Sequence, residues 1–386
     1  MRIAYCIKSL HQAGGMERVI TAKANYLAGL GYEVFILTTD QQGRAPFFAL
    51  DSSIGLIDLD VNYDAVDTSS RLRKYVDLAK HKRLHRERLE RKLKELALDI
   101  TISTGYQEFS FLPSLKDGSI KITESHGSWG KTVSEHRFPQ TDYVRRLISK
   151  WDEYAFARRA SRYACTVLLT HEDAELWGDR LAHVEVIHNL MPISSERVAM
   201  LDAKRCIAVA RFAHEKNLQD TLEVWARVVR NHPDWRLDIY GEGYLHDQLV
   251  RQMKELGIEN SCALHKPTAE ITSEYLSSSI LLMTSQTEGL PMVLLEAQEL
   301  GLPSVCYAFH CGAKDVLLEA AAPCGFVVPY GDKDAFAERL EELMRDADLR
   351  KRMGQAARQN ASRFYADVVL PKWDALFRSL VSSKKK

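Results

Sequence analysis

Neither sign of charge is in surplus: 52 lysines and arginines balance 52 aspartates and glutamates, for a formal net charge of zero. That balance removes the basic footprint expected of a nucleic-acid binder. The seven cysteines form an odd set with no Cys-x-x-Cys pair, so neither a disulfide framework nor metal-ligand spacing is present. Cys165, Cys206 and Cys306 fall in strand-like apolar runs and read as buried thiols of a reducing, cytoplasmic compartment. No apolar run reaches the roughly 18 residues that would suggest a membrane span. The first residues, Met1-Arg2-Ile3-Ala4-Tyr5-Cys6-Ile7, are interrupted by polar groups too early for a signal peptide. Gly-x-Gly-x-x-Gly is missing as well, although Asp40 lies near the distance where a dinucleotide-binding fold places its ribose acid.

What remains is the composition of an ordinary globular protein, 46% hydrophobic and 27% charged over 386 residues, enough for two domains. The first half alternates strand patterns at 2–7, 33–38, 54–59, 98–103, 119–123, 162–167 and 183–187 with helical patterns at 16–30, 71–97 and 143–160. The second half repeats the alternation. Strands are expected at 206–210, 236–240, 261–264, 280–284 and 304–307, and helices at 218–231, 245–257, 270–278 and 291–300. After 330 the pattern turns helical, at 332–346, 348–363 and 367–383, with Pro371 and Trp373 suggesting a turn and an anchor. Such alternation implies parallel sheets covered by helices on both faces. The expected fold is α/β, two doubly wound Rossmann-like domains facing across a cleft, at 1–190 and 196–366, with a terminal helix over 367–386. A polar linker, Ile187-His188-Asn189-Leu190-Met191-Pro192-Ile193-Ser194-Ser195, separates the halves.

The segment Glu288-Gly289-Leu290-Pro291, running on through apolar residues to Glu296, lies between two strands. Pro291 suits a helix start, and Gly301 the position just past its end. Glu288 then sits on a loop at a strand's carboxyl end, where open parallel sheets bind ligands. The free N–H groups of Gly289 and Leu290, at a helix N-terminus, make an anion site. Two carboxylates flanking an anion suit a nucleotide sugar, with phosphate in the middle and hydroxyls at both ends. A glycosidase pair fits less well: its carboxyls stand about 5–9.5 Å apart, whereas eight helical residues span roughly 12 Å.

Arg211 follows strand 206–210 and Lys216 comes five residues later, so both cations are expected at the same sheet edge, facing the cleft and a diphosphate. In the first half, Gly14-Gly15 before a helix lets the backbone approach an anion. Gly241 and Gly243 suit a tight strand-to-helix turn. His126, after strand 119–123, stands where it could hydrogen-bond a sugar hydroxyl, ahead of His11 and His310. Residues 71–94 carry interleaved charges and read as a solvated helix face. Segment 143–159 mixes Arg145, Arg146, Lys150, Arg158 and Arg159 with Tyr143, Trp151, Tyr154 and Phe156. It is read either as a helix packed in the core or as a peripheral contact with an anionic inner-membrane surface.

Together these pieces resemble the family-4 retaining glycosyltransferases of the GT-B fold, over nearly the whole chain. The marks are Gly14-Gly15-x-Glu17-Arg18-Val19, Arg211 with Lys216, and Glu288-x7-Glu296 continuing to Gly301-Leu302-Pro303. Cys311-Gly312-Ala313-Lys314-Asp315-Val316, then Gly325-Phe326-Val327-Val328, looks like the matching segment in transferases of bacterial surface-glycan assembly. The resemblance implies retaining, metal-independent transfer without a cofactor, from a nucleotide-diphosphate sugar (a UDP-hexose or UDP-N-acetylhexosamine) to a glycan or polyprenyl/lipid-linked acceptor. Carried over, Arg211 and Lys216 hold the diphosphate, Glu296 the ribose, Glu288 and His126 the donor sugar, and Gly15 lies near phosphates and acceptor. It also implies an acceptor-binding first domain, a donor-binding second, and a last helix crossing back to the first. The linker departs from the Pro-Asn-Gly that relatives often show. A nicotinamide-dependent oxidoreductase and a non-catalytic sugar- or nucleotide-binding module stay open as alternatives.

Overall fold

A computed structural model of the chain describes residues 1–12, 14–67, 69–127, 143–309 and 311–384, without the side chains of 143–150. The first half builds β1 (Arg2–Ile7), β2 (Glu33–Thr38), β3 (Gly55–Asp58), β4 (Ile100–Ser103), β5 (Ile120–Glu124), β6 (Cys165–Leu168) and β7 (Val184–Val186). The second builds β8 (Arg205–Val209), β9 (Arg236–Tyr240), β10 (Cys262–His265), β11 (Ile280–Met283), β12 (Ser304–Tyr307) and β13 (Gly325–Val328). The sheet orders are β3-β2-β1-β4-β5-β6-β7 and β10-β9-β8-β11-β12-β13, with parallel pairing throughout. The α/β architecture of two doubly wound parallel sheets is therefore the one expected from the sequence.

Helices cover the sheets. They are α1 (Gly15–Gly29), α2 (Arg71–Leu96), α3 (Tyr143–Ala160), α4 (His171–Trp177), α5 (Leu218–Val228) and α6 (His246–Leu256). There follow α7 (Ile271–Leu276), α8 (Met292–Glu299), α9 (Lys333–Arg345), α10 (Ala347–Ala361) and α11 (Ala366–Lys384). Side chains alternate across each strand, so Ile3, Tyr5 and Ile7 join one apolar layer while Ala4 and Cys6 join the layer on the opposite face. In the second sheet Cys206 and Ala208 face one layer and Ile207 the other. Burial on both faces is what makes these strands read as continuous apolar runs.

Three features differ from the sequence expectation. β13 was not anticipated, because a four-residue run at the sheet edge carries little pattern of its own. The same holds for α4, whose seven residues are too short for a helical period. Pro371 makes no turn; it lies inside α11. Its neighbours Val369, Leu370, Trp373 and Phe377 are fully buried in the apolar layer of the first sheet, and that packing outweighs the one ladder hydrogen bond a proline forfeits. α11 is further tied to the first half by Asp374, which accepts a hydrogen bond from the Tyr32 hydroxyl.

The linker is pinned rather than loose. The His188 Nδ1–H donates to the Leu169 carbonyl at 2.6 Å, Met191 N–H to the Phe364 carbonyl at 2.7 Å, and Ser195 N–H to Glu299 Oε1 at 3.1 Å.

One buried acid makes the fold pH-sensitive. Glu108, just after β4, is almost fully buried; burial pushes its carboxyl up to about 7, against the opposing hydrogen bond from Ser103 Oγ at 2.7 Å. Between the ordinary value of 4.5 and 7, the folded chain holds a proton that the unfolded chain has released. Stability is thus greatest below that window and falls as pH rises through it, by on the order of 3 kcal/mol in all. Glu108→Gln removes the titration, so its melting temperature should exceed that of the parent by more at pH 8 than at pH 4.5. Equal differences at the two pH values would contradict this reading of Glu108.

Candidate active site

In each sheet the strand order reverses once, between β1 and β4 and between β8 and β11. Loops leaving the carboxyl ends of those neighbours diverge, which opens a crevice between them. At the β8/β11 reversal a pocket of about 170 Å³ is floored by Ala208, Val209, Leu282 and Met283 and walled by Lys216, Glu288 and Leu290. Lys216 arrives on the loop after β8, and Glu288 on the loop after β11. Their side chains meet there, Nζ to Oε1 at 2.6 Å, both largely buried.

From Glu288 the chain passes through Gly289, Leu290 and the N-cap Pro291 into α8. Neither the Gly289 nor the Leu290 N–H has an acceptor among the described residues, so both are available to an anion just ahead of the helix N-terminus. Gly301, at φ +71°, ends the helix in the left-handed conformation that glycine adopts without strain. Glu296 lies one face further along α8. Its Oε2 accepts from the Tyr275 hydroxyl at 2.9 Å, and its Oε1 stands 3.6 Å from Arg18 Nη1. Burial raises the Glu296 carboxyl, while Tyr275 and Arg18 pull it back. Arg18 comes from α1 in the first half, so this carboxylate is shared between the two domains. The Arg18 guanidinium also rests over the Phe48 ring, 5.0 Å from its centroid.

The opposite wall is built by the loops after β1, β4 and β5. Gly14 caps α1 with the Glu17 carboxylate folded against it: a Cβ there would lie 2.0 Å from Glu17 Oε2. Gly15 is different, for a Cβ would meet nothing within 4 Å, and its surroundings are open to a ligand. A cleft of about 730 Å³ runs from Met16 past Thr104, Gly105 and Tyr106 to Glu124, His126 and Gly127. The two walls also touch where the α8 loop meets the loop after β5. A Cβ on Gly289 would sit 2.4 Å from the His126 carbonyl oxygen, so only glycine lets the α8 loop lie against the β5 loop.

His126 itself turns inward. Its ring is 7% exposed, and Nε2 stands 3.3 Å from Glu124 Oε1. Glu124 is fully buried and also pairs with Lys23 of α1, equally buried. Burial opposes both charges; Lys23 and His126 nonetheless hold the Glu124 carboxyl below its ordinary value, and burial draws Lys23 below its own. The Lys23 ammonium lies 4.4 Å from the Trp373 ring centroid and 5.5 Å from that of Tyr5. A buried pair is costly unless its charges are mutually satisfied; here Lys23 bonds Glu124 Oε1, while Glu124 Oε2 is buried without a hydrogen-bond partner among the described residues.

Of the residues singled out from sequence, Lys216, Glu288 and Leu290 line one pocket, with Gly289 joining the last two in the chain and Glu296 further along α8. Gly14, Gly15 and His126 belong to the facing wall. Arg211 stands apart: its guanidinium is 75% exposed, bonds Glu215 at 2.9 Å, and does not line the pocket. His310 lies outside the described residues. Gly241 and Gly243 do form the tight turn, pressed against the Ala210 and Phe212 carbonyl oxygens. Sequence reasoning gave Arg18, Lys23, Glu124 and Tyr275 no role. Lys23 carried a signal, since it shares the helical stripe of Val19, Ile20, Ala24 and Leu27, where a charge must find a buried partner.

Two family models match consecutive stretches of the chain: "Glycosyltransferase Family 4" over residues 13–195 and "Glycosyl transferases group 1" over residues 195–360. An uncharacterized glycosyltransferase of Haemophilus influenzae is 27% identical over 381 residues, covering 97% of this chain and 99% of its own length. A Campylobacter jejuni relative, named GalNAc-alpha-(1->4)-GalNAc-alpha-(1->3)-diNAcBac-PP-undecaprenol alpha-1,4-N-acetyl-D-galactosaminyltransferase, is 24% identical, covering 97% of each chain. Among solved structures, a mutant of S. aureus TarM in complex with Fondaparinux, alpha-GlcNAc-glycerol and UDP superposes with a TM-score of 0.78 at 14% identity. It covers 97% of this chain and 99% of that one, a likeness of fold.

The contact between the walls predicts an asymmetry among the glycines. Gly289→Ala forces the α8 and β5 loops apart and should cost about 1–3 kcal/mol, as overpacking does. Gly15→Ala meets open space and should leave the melting temperature near that of the parent. Thermal melts of the two variants check this; equal melting temperatures would contradict the close approach.

Proposed function

Because the chain belongs to the family-4 and group 1 glycosyltransferases of the GT-B fold, we propose that it transfers a sugar, with retention of configuration, from a nucleotide-diphosphate donor to a glycan or polyprenyl-linked acceptor in bacterial surface-glycan assembly. The observation that carries the donor assignment is the meeting of Lys216 and Glu288 at the β8/β11 reversal, beside two N–H groups with no acceptor among the described residues. A diphosphate at that point would receive the Lys216 ammonium and the Gly289 and Leu290 N–H groups, with the ribose hydroxyls on Glu296. Displacing the Lys216–Glu288 pair in this way frees the Glu288 carboxylate to accept from a donor-sugar hydroxyl. UDP is the proposed nucleotide, supported by its presence in the TarM complex. The lipid-linked acceptor is supported by the name of the Campylobacter relative.

In the proposed step the bond between the anomeric carbon and the β-phosphate oxygen breaks, and the electron pair leaves with the phosphate. The acceptor oxygen bonds to the same face of that carbon, and its proton passes to a phosphate oxygen. Negative charge grows on the leaving diphosphate, so donors fixed before the reaction stabilise the transition state most. Lys216 and the two N–H groups fill that role in the proposed metal-independent reaction. The buried Lys23–Glu124 pair would keep His126 and its loop in place beside the donor sugar.

No helix of the described residues is long and apolar enough to cross a membrane. Peripheral contact is proposed on α3, where Trp151 and Tyr154 are exposed and Arg158 and Arg159 are exposed beside them.

Lys216→Ala should lower kcat by about 10²–10³-fold, the usual effect of removing one preorganised donor. Arg211→Ala, which removes an exposed guanidinium outside the pocket, should have a much smaller effect. Release of nucleoside diphosphate from UDP-hexoses and UDP-N-acetylhexosamines in the presence of acceptor is the assay. Full turnover by Lys216→Ala would overturn the phosphate assignment, and NAD binding without any nucleotide-sugar binding would favour an oxidoreductase.

A further inference from the structure

Away from the donor pocket, the domain boundary gathers His171 at the start of α4, His188 in the linker, and Asp315 on the irregular turn Lys314–Leu318. One ligand atom from each lies within 4.8 Å of the others. We propose that these three residues form a structural site for a divalent transition cation, zinc first, fastening the second domain to the linker and to α4. The site is independent of the glycosyltransferase reading and takes no part in the transfer.

Three observations carry it. First, His188 Nδ1–H donates to the Leu169 carbonyl at 2.6 Å. That fixes the tautomer and leaves Nε2 with its lone pair, the arrangement in which metal-binding histidines are held from behind. Second, Asp315 is fully buried and held from both sides: Oδ1 accepts the His171 N–H at 2.6 Å and Oδ2 the Glu172 N–H at 3.2 Å. A carboxylate has about four acceptor positions, so each oxygen keeps one for a cation. Third, His171 Nδ1 already stands 3.3 Å from Asp315 Oδ1, close to the roughly 3.3 Å edge of a tetrahedron whose metal–ligand bonds are about 2.0–2.1 Å. The His171 side chain is 55% exposed, so its ring is free to turn and shorten the longer edges. Glu319 Oε1, 3.6 Å from His171 Nδ1, offers a fourth oxygen, while Arg363 bonds the other oxygen, Oε2, at 2.8 Å.

Two imidazoles and a carboxylate select zinc and its neighbours over magnesium or calcium, which prefer all-oxygen shells.

The test is metal binding by the full chain after chelation and desalting. Titration with ZnCl₂, read by calorimetry and by competition with a chromophoric chelator, should show one saturable equivalent and a raised melting temperature. His171→Gln and His188→Gln should each weaken zinc at least tenfold, while His246→Gln, an exposed histidine beside Asp247, should leave the affinity unchanged. Should His188→Gln melt early even in chelator, the half-exposed His171→Gln decides alone. Absence of a one-to-one site, or affinity that survives His171→Gln, overturns the proposal. Because the readout is the metal, its failure leaves the donor-site assignment untouched, and the reverse also holds.

Discussion

Asp315 terminates a helix that belongs to the other half of the chain, and the cleft depends on that arrangement. The first N–H groups of any helix lack partners within it; in α4 the Thr170 hydroxyl meets that of Asp173, and a buried carboxylate from beyond β12 meets those of His171 and Glu172. The contact is returned: Glu172 of α4 accepts the Gly312 N–H at 3.2 Å. Gly312 in turn lies under the α8 loop, where a Cβ would meet Pro291 at 2.5 Å and the Gly289 carbonyl at 3.2 Å. The chain of contacts therefore runs from α4, through the turn around Asp315, to the segment that carries the N–H groups of the proposed donor site. Losing the cap would unsettle both ends.

The same economy governs charge within the cleft. Almost every buried ionic group near it finds its counter-charge on a different element. Lys216 and Glu288 come from loops after β8 and β11, Arg18 and Glu296 from opposite domains, and Lys23 and Glu124 from α1 and β5. Pairs made this way contribute little net stability once desolvation is counted, but they constrain where loops can lie. A donor entering the pocket as proposed would have only to exchange partners, since Lys216 and Glu288 already present a cation and an acceptor at hydrogen-bonding distance.

The fold was legible because both faces of each sheet are buried, so strands stood out as apolar runs and helices as periodic segments between them. Short or atypical elements were not, as β13, α4 and the proline-containing α11 show; their geometry is set by neighbours rather than by local pattern. The loop of the proposed donor site was legible as a strand–loop–helix segment for a related reason: Glu288, Gly289, Leu290 and Glu296 are close in sequence, and the helix start fixes their relative placement. Arg211 and Lys216 read alike from their spacing, yet the loop turns one into the pocket and the other to solvent beside Glu215. Asp315 with His171, 144 residues apart, could not be paired by any local rule.

A crystal structure with UDP bound reports on the donor assignment most directly. The expected result places the diphosphate within hydrogen-bonding distance of Lys216 Nζ and the Gly289 and Leu290 N–H groups, with both ribose hydroxyls on Glu296. A diphosphate lodged instead against Gly105 and Tyr106 in the first-half cleft, with Lys216 still paired to Glu288, would contradict it.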